Sequence, residues 1–169
     1  MRATLVILSG LPGVGKTAIA RELASQIGAV HLRIDSIEQA MRSSQGSCVS
    51  LDDAGYRVAY AVAEGNLRNG LTVIADSVNP IQLTRDAWLE VAVRAKARTI
   101  EIEVQCSDLV EHRRRVETRV ADLPGFRLPT WEEVLSREYA PWNREHLVLD
   151  TATRTLGENV KTLRDALRE

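Results

Sequence analysis

Cysteine is nearly missing from this chain of 169 residues: Cys48 and Cys106 stand without a CxxC spacing or further thiols. That excludes a disulfide framework and makes a reducing cytoplasm the expected setting. No run of roughly eighteen apolar residues occurs, so no segment reads as a membrane-spanning helix. The basic region, long apolar core and cleavage site of a leader are not found at the N-terminus either. An excess of one charge is also lacking. The 22 basic residues nearly balance 23 acidic ones, for a net charge of −1, which gives no broad pull toward polyanions or membrane surfaces. Aromatic residues are only 4% of the chain, so platforms for stacking nucleic-acid bases are scarce.

What the chain does contain is an alternation of short β-rich runs with amphipathic helical patterns, the mark of a parallel sheet flanked by helices. Strands are expected at 4–8, 29–34, 71–75, 98–105 and 146–149. The length fits one domain over 1–169, able to bury about two-thirds of its unfolded surface. A helix is expected from Pro80, with Asn79 as N-cap, Gln82 three residues on, and Trp88, Val91, Ala92 and Ala95 as its apolar face. The last helix carries Leu156, Val160, Leu163 and Leu167 at helical spacing. Two stretches read as functional loops: 43–53, polar and small, and 119–130, with two prolines and a glycine. The second ends in a cap of the form Thr130-Trp131-Glu132-Glu133.

The first strand runs straight into Gly10, Leu11, Pro12, Gly13, Val14, Gly15, Lys16 and Thr17, a complete Gly-x-x-x-x-Gly-Lys-Thr pattern. Glycines let the backbone wrap a phosphate, Lys16 reaches the outer phosphates and Thr17 can ligate Mg²⁺. A helical pattern (Ala18, Ile19, Leu23, Ile27) follows, so a nucleoside triphosphate is the expected ligand. The candidate second strand ends Asp76-Ser77 rather than Asp-Glu, and no Asn-Lys-x-Asp guanine reader occurs. These two absences favour transfer to a bound acceptor over hydrolysis or a GTP switch.

Two aspartates fall at strand ends, where ligands bind in doubly wound sheets. Asp35 is a candidate base for an acceptor hydroxyl, and equally an N-cap for the stretch 36–42 with Glu38 completing a box. Arg42, two helical turns on, can hold an anionic group of the acceptor or lie on a solvated helix end. Asp76 is a candidate Mg²⁺ contact through water, an acceptor-positioning group, or a turn former. Farther along, Arg115 and Arg119 share a helical face at i,i+4 and can be carried to the transferred phosphoryl by a closing lid. The histidines His31, His112 and His146 show no metal-ligand spacing, and His31 reads as packed. Trp131, Tyr139 and Trp142 read as packing for the segment after the lid.

The stretches GLPGVGKT, RIDSIEQAMR, VIADSVNPIQLTRDAW and HRRRVETR resemble the small P-loop kinases related to adenylate kinase, in the group labelled AAA family ATPase or AAA_33. The resemblance extends to chloramphenicol phosphotransferase and polynucleotide 5′-kinase, in both of which the proposed base aligns with Asp35. It implies a three-layer α/β sandwich with a five-stranded parallel sheet of order 2-3-1-4-5 and a lid at about 113–130, after the fourth strand. It further implies ATP and Mg²⁺ as cofactors, and an adenine pocket between Arg119 and the segment Asp150-Thr151-Ala152. The expected reaction is phosphoryl transfer to a hydroxyl of a small molecule. A 5′-hydroxyl nucleic-acid end kinase and a nucleotide-gated regulatory protein are the alternatives.

Overall fold

The computed structural model describes residues 3–45 and 53–168. Five strands, β1 (Thr4–Ser9), β2 (Val30–Arg33), β3 (Val73–Asp76), β4 (Arg98–Gln105) and β5 (Leu147–Asp150), form one sheet. All neighbours pair in parallel, in the order β2-β3-β1-β4-β5, as expected from the sequence. Leu5 and Ile7 of β1 point into one core, and Val6 and Leu8 into the other. This period-2 alternation of apolar residues buries both faces of the central strand, as a sheet covered by helices requires.

On one face, α1 (Lys16–Ile27) and α7 (Leu156–Ala166) supply Ile19, Ala20, Leu23, Val160 and Leu163. On the other, α2 (Ile34–Gln45), α3 (Ala54–Arg68) and α4 (Gln82–Ala95) supply Ile34, Ala59, Ala63, Leu67, Trp88 and Val91. The chain then continues beyond β4 through α5 (Leu109–Thr118) and the five-residue α6 (Trp131–Leu135), where Val116, Trp131 and Val134 form a small satellite core against Leu11. Thr130 caps α6 in a reciprocal box, its hydroxyl accepting from Glu133 N while the Glu133 carboxylate accepts from Thr130 N, which matches the expectation.

Three expectations are corrected. Asp35 does not cap its helix: α2 starts at Ile34 directly after β2 and places Asp35 inside the first turn. Asn79 is no cap either, because α4 starts at Gln82 after Ile81. Its side chain is fully buried and donates to the Leu8 carbonyl and Ser9 Oγ while accepting from Trp88 Nε1 at 3.1 Å. Its backbone adopts φ 47°, a conformation that asparagine tolerates better than most residues. Finally, helix α3 occupies part of a stretch in which no element is expected. The loop at 43–53 is helical to residue 45 and otherwise lies, with Cys48, almost entirely outside the described residues.

Candidate active site

The loop between β1 and α1 is shaped by its glycines. Gly10 has φ 140°, and a Cβ there would fall 2.2 Å from the Val104 carbonyl oxygen; one on Gly13, at φ 86°, would fall 2.5 Å from Val116. Both positions therefore need glycine, for backbone conformation and for space. The loop is clamped from α5, where His112 Nε2 donates to the Pro12 carbonyl at 2.8 Å and is itself braced edge-on by Trp131.

Gly15 caps α1 without a side-chain acceptor. Helix geometry leaves the first-turn N–H groups of Lys16, Thr17 and Ala18 without intrahelical partners, an anion-binding arrangement. Lys16 is buried, and its ammonium donates to the carbonyls of Gly10 (2.7 Å) and Leu11 (2.9 Å). A third hydrogen is left for a ligand oxygen. Burial is the main influence on this group and lowers its pKa to about 8, against the opposing pull of Asp76 and Asp35.

That value carries a pH prediction. Between about 8 and the ordinary 10.5 the free protein holds Lys16 neutral, whereas a polyphosphate beside it favours the charged form. Binding a triphosphate above pH 8 therefore takes up a proton, and affinity falls as pH rises through this window. Calorimetry at pH 8.5 in two buffers of different ionisation enthalpy is expected to give an uptake approaching one proton, against nearly none at pH 6.5. Equal uptake at the two values would sink the idea.

Across from the loop, Asp76 is buried at the end of β3. Burial disfavours its charge, but a hydrogen bond from His31, the Lys16 charge and the Thr17 hydroxyl outweigh it and hold the carboxyl below its ordinary value. His31 lies 3.1 Å away through Nε2, and because an ionised carboxylate only accepts, that nitrogen carries the hydrogen. His31 is thus the partner of Asp76 rather than simple packing. Thr17 and Asp76 together present a hydroxyl and an ionised carboxylate, a hard-oxygen pair of the kind that suits Mg²⁺ alongside phosphates and water.

The arginines divide the work. Arg115 donates to Thr151 Oγ1 (2.8 Å) and to the Thr151 carbonyl (3.1 Å), while the Thr151 hydroxyl donates to the Val14 carbonyl (2.8 Å). The segment after β5 is thereby tied to the phosphate loop by Thr151 itself and to α5 by Arg115 rather than Arg119. Helix α5 ends at Thr118, so Arg119 is the extended C-cap residue. Its Nε is buried with no hydrogen-bond partner among the described residues. Burial lowers the pKa of its guanidinium, and Asp35 opposes that shift.

The loop, Asp76 and both arginines line one cleft of about 850 Å³, toward the upper end of the range for ligand pockets. Lys16, Thr17, Asp35, Arg42, Asp76, Arg115 and Arg119 are brought to it together. Asp35 keeps 46% of its side chain exposed and receives only a long 3.4 Å contact from Arg33. Residues with no expected role also line the wall, among them Arg33, Gln39, Phe126, Arg127 and Arg137. Asp122 of the 119–130 loop binds Arg33 (2.8 Å) and Arg21, and Gln39 donates to the Pro124 carbonyl (2.9 Å). These contacts hold that loop over the cleft.

A parallel sheet of this order with a glycine-rich loop opening α1 defines a P-loop fold of the kinase type. The family model of the AAA domain, AAA_33, matches residues 5–137, and the chain belongs to that family. Among solved structures it is similar to Mycobacterium tuberculosis APS kinase CysC in complex with AMPPNP and APS (19% identity, TM-score 0.77, 99% of each chain covered). It is also similar to Chaetomium thermophilum Kti12 in complex with ADP-AlF3 (21%, TM-score 0.70, 96% and 98% covered). A gluconokinase from Sinorhizobium meliloti resembles it at 16% identity and TM-score 0.60, with 99% and 97% covered. No curated protein matches the chain.

Proposed function

We propose that this chain is an ATP- and Mg²⁺-dependent kinase that transfers the γ-phosphoryl group to a hydroxyl of a small molecule. One observation carries the reading: the P-loop lysine and the exposed carboxylate of Asp35 line one cleft together with Arg119. The kinases among the solved structures of the same fold, one with AMPPNP and one acting on gluconate, lend it weight.

In the reaction the acceptor O–H gives its proton to Asp35 as the oxygen bonds to the γ-phosphorus. The bond from that phosphorus to the β,γ-bridging oxygen breaks, and the electron pair leaves with ADP. Lys16 and Arg119 hold the negative charge spread over the moving group. Thr17, and Asp76 through water, would hold Mg²⁺, which would supply positive charge against the phosphates. The segment 113–130 acts as the lid that excludes water, while Arg115 and Thr151 order the nucleoside end beside residues 150–152. The loop residues Gly10 to Thr17, with Ala18, bind the phosphates. The cytoplasm is the working compartment, where Cys106 stays a buried free thiol.

The test is ADP formation with a panel of polyols, sugars, sugar acids and nucleosides and a 5′-hydroxyl oligonucleotide, with the phosphomonoester product followed by phosphorus NMR. Stimulation by a small acceptor is expected. Stimulation by the oligonucleotide alone would point to nucleic-acid ends, and slow hydrolysis that no acceptor alters would point to a nucleotide-gated binding protein.

A further inference from the structure

On the wall of the cleft away from the phosphate loop, most of the charges pair off. Arg42 donates to Glu38 (3.2 Å), Arg127 to Glu133 (2.7 Å), and Arg33 is engaged by Asp122. Among the described residues this leaves two arginines of the cleft without a carboxylate at ion-pair distance: Arg119, assigned above to the moving phosphoryl group, and Arg137, just beyond α6. It also leaves one carboxylate with only a long contact, Asp35. The charge of Arg137 is felt at Lys16, Glu38 and Glu133. Arg137 lines the same cleft as Lys16 of the phosphate loop and Glu38 and Arg42 of α2.

We propose that the acceptor is a small alcohol carrying an oxyanion, a phosphate, sulfate or carboxylate group, and that Arg137 is the residue that recognises it, with Arg42 as the second donor. This rests on the kinase reading above. An unpaired cation and a weakly paired base in one cleft define a substrate with two matching features: an anionic group to be held and a hydroxyl to be deprotonated. A guanidinium suits an oxyanion because its N–H fork can donate two parallel charge-assisted bonds. Arg42 is free to join because its pairing with Glu38 is a single 3.2 Å contact on a half-exposed side chain. The step is unchanged: the hydroxyl oxygen bonds to the γ-phosphorus, its proton passes to Asp35, and ADP departs with the bridging oxygen. The acceptor's own anion keeps its charge throughout.

The experiment uses matched acceptors: glycerol against glycerol 3-phosphate, ribose against ribose 5-phosphate and glucose against gluconate. It is run on the wild type, Arg137→Ala and Arg137→Lys. The anionic member of at least one pair is expected to have the higher kcat/KM. Arg137→Ala is expected to raise the KM of that acceptor about 10- to 100-fold, with the loss falling on the acceptor KM rather than on that of ATP and with partial recovery in Arg137→Lys. Preference for the neutral members, or an unchanged acceptor KM in Arg137→Ala, overturns the proposal while leaving the kinase reading intact. In parallel, sulfate and glycerol 3-phosphate are titrated calorimetrically into protein saturated with AMPPNP and Mg²⁺, which keeps the anion out of the phosphate loop. Binding that weakens at least tenfold in Arg137→Ala supports the site even if no acceptor is turned over, the outcome that would defeat the kinase reading. Equal binding, or none in either protein, defeats the site.

Discussion

Replacing Asp35 with asparagine is expected to lower kcat for the acceptor-stimulated reaction by about 10²- to 10⁴-fold, the usual contribution of a positioned general base. The amide has nearly the shape of the carboxylate but cannot take the hydroxyl proton. Because Asp35 sits in the first turn of α2 with 46% of its side chain exposed, the change leaves no buried group unpaired. The fold loses only a helix-end charge interaction of about 0.3–1 kcal/mol. The melting temperature should therefore move by no more than a few degrees while turnover collapses. The KM for ATP should change little, since the residues proposed to hold the phosphates are Lys16 and the first-turn N–H groups rather than Asp35. Steady-state kinetics with the best acceptor, beside a thermal melt of the same sample, checks both parts. A variant with wild-type turnover removes Asp35 as base, and a parallel fall in melting temperature and activity would mean the loss is structural.

The phosphate loop was legible in the sequence because its chemistry is local. Gly10 and Gly13 are demanded by backbone conformation and by contacts within a few ångströms, and Lys16 bonds to the carbonyls of its own loop. The sheet order followed from the resemblance together with the regular alternation of strands and helices. Asn79 misled because a polar residue before Pro80, with Gln82 behind it, is the local pattern of a helix cap. What decides its role lies 70 and 9 residues away in the chain, at Ser9 and Trp88, where a buried amide satisfies the indole and the end of β1. Helix α3 was missed because the face it buries is made of Gly55, Ala59, Ala63 and Leu67, small residues that give little hydrophobic contrast. Arg137 gave no local signal at all. Its significance comes from which acids around the cleft are already taken, and that requires the three-dimensional arrangement.

Arg85→Ala is expected to destabilise the fold by about 3 kcal/mol or more, a drop of roughly 6–12 °C in melting temperature for a chain of this size. Arg85 is fully buried without a carboxylate partner among the described residues. Its guanidinium donates instead to the carbonyls of Asn79 (3.0 Å), Ala140 (2.8 Å) and Pro141 (3.2 Å), and lies over the Trp142 ring at 4.2 Å. Truncation strands three carbonyls, opens a cavity beneath Tyr139 and Trp142, and frees the segment after α6 from α4. Arg85→Lys should recover little, because a point ammonium cannot reach carbonyls on both sides in the plane of the fork. The same segment carries Arg137 two residues before Tyr139, so the effect extends to function. Below its melting temperature, Arg85→Ala should raise the KM of an anionic acceptor more than that of ATP, whose loop is braced separately by His112 and Thr151. Thermal melts of both variants and acceptor titrations at a temperature where each is folded measure the two halves of this expectation. A melting temperature within 2 °C of the wild type would show that the segment is anchored by its aromatic packing rather than by Arg85.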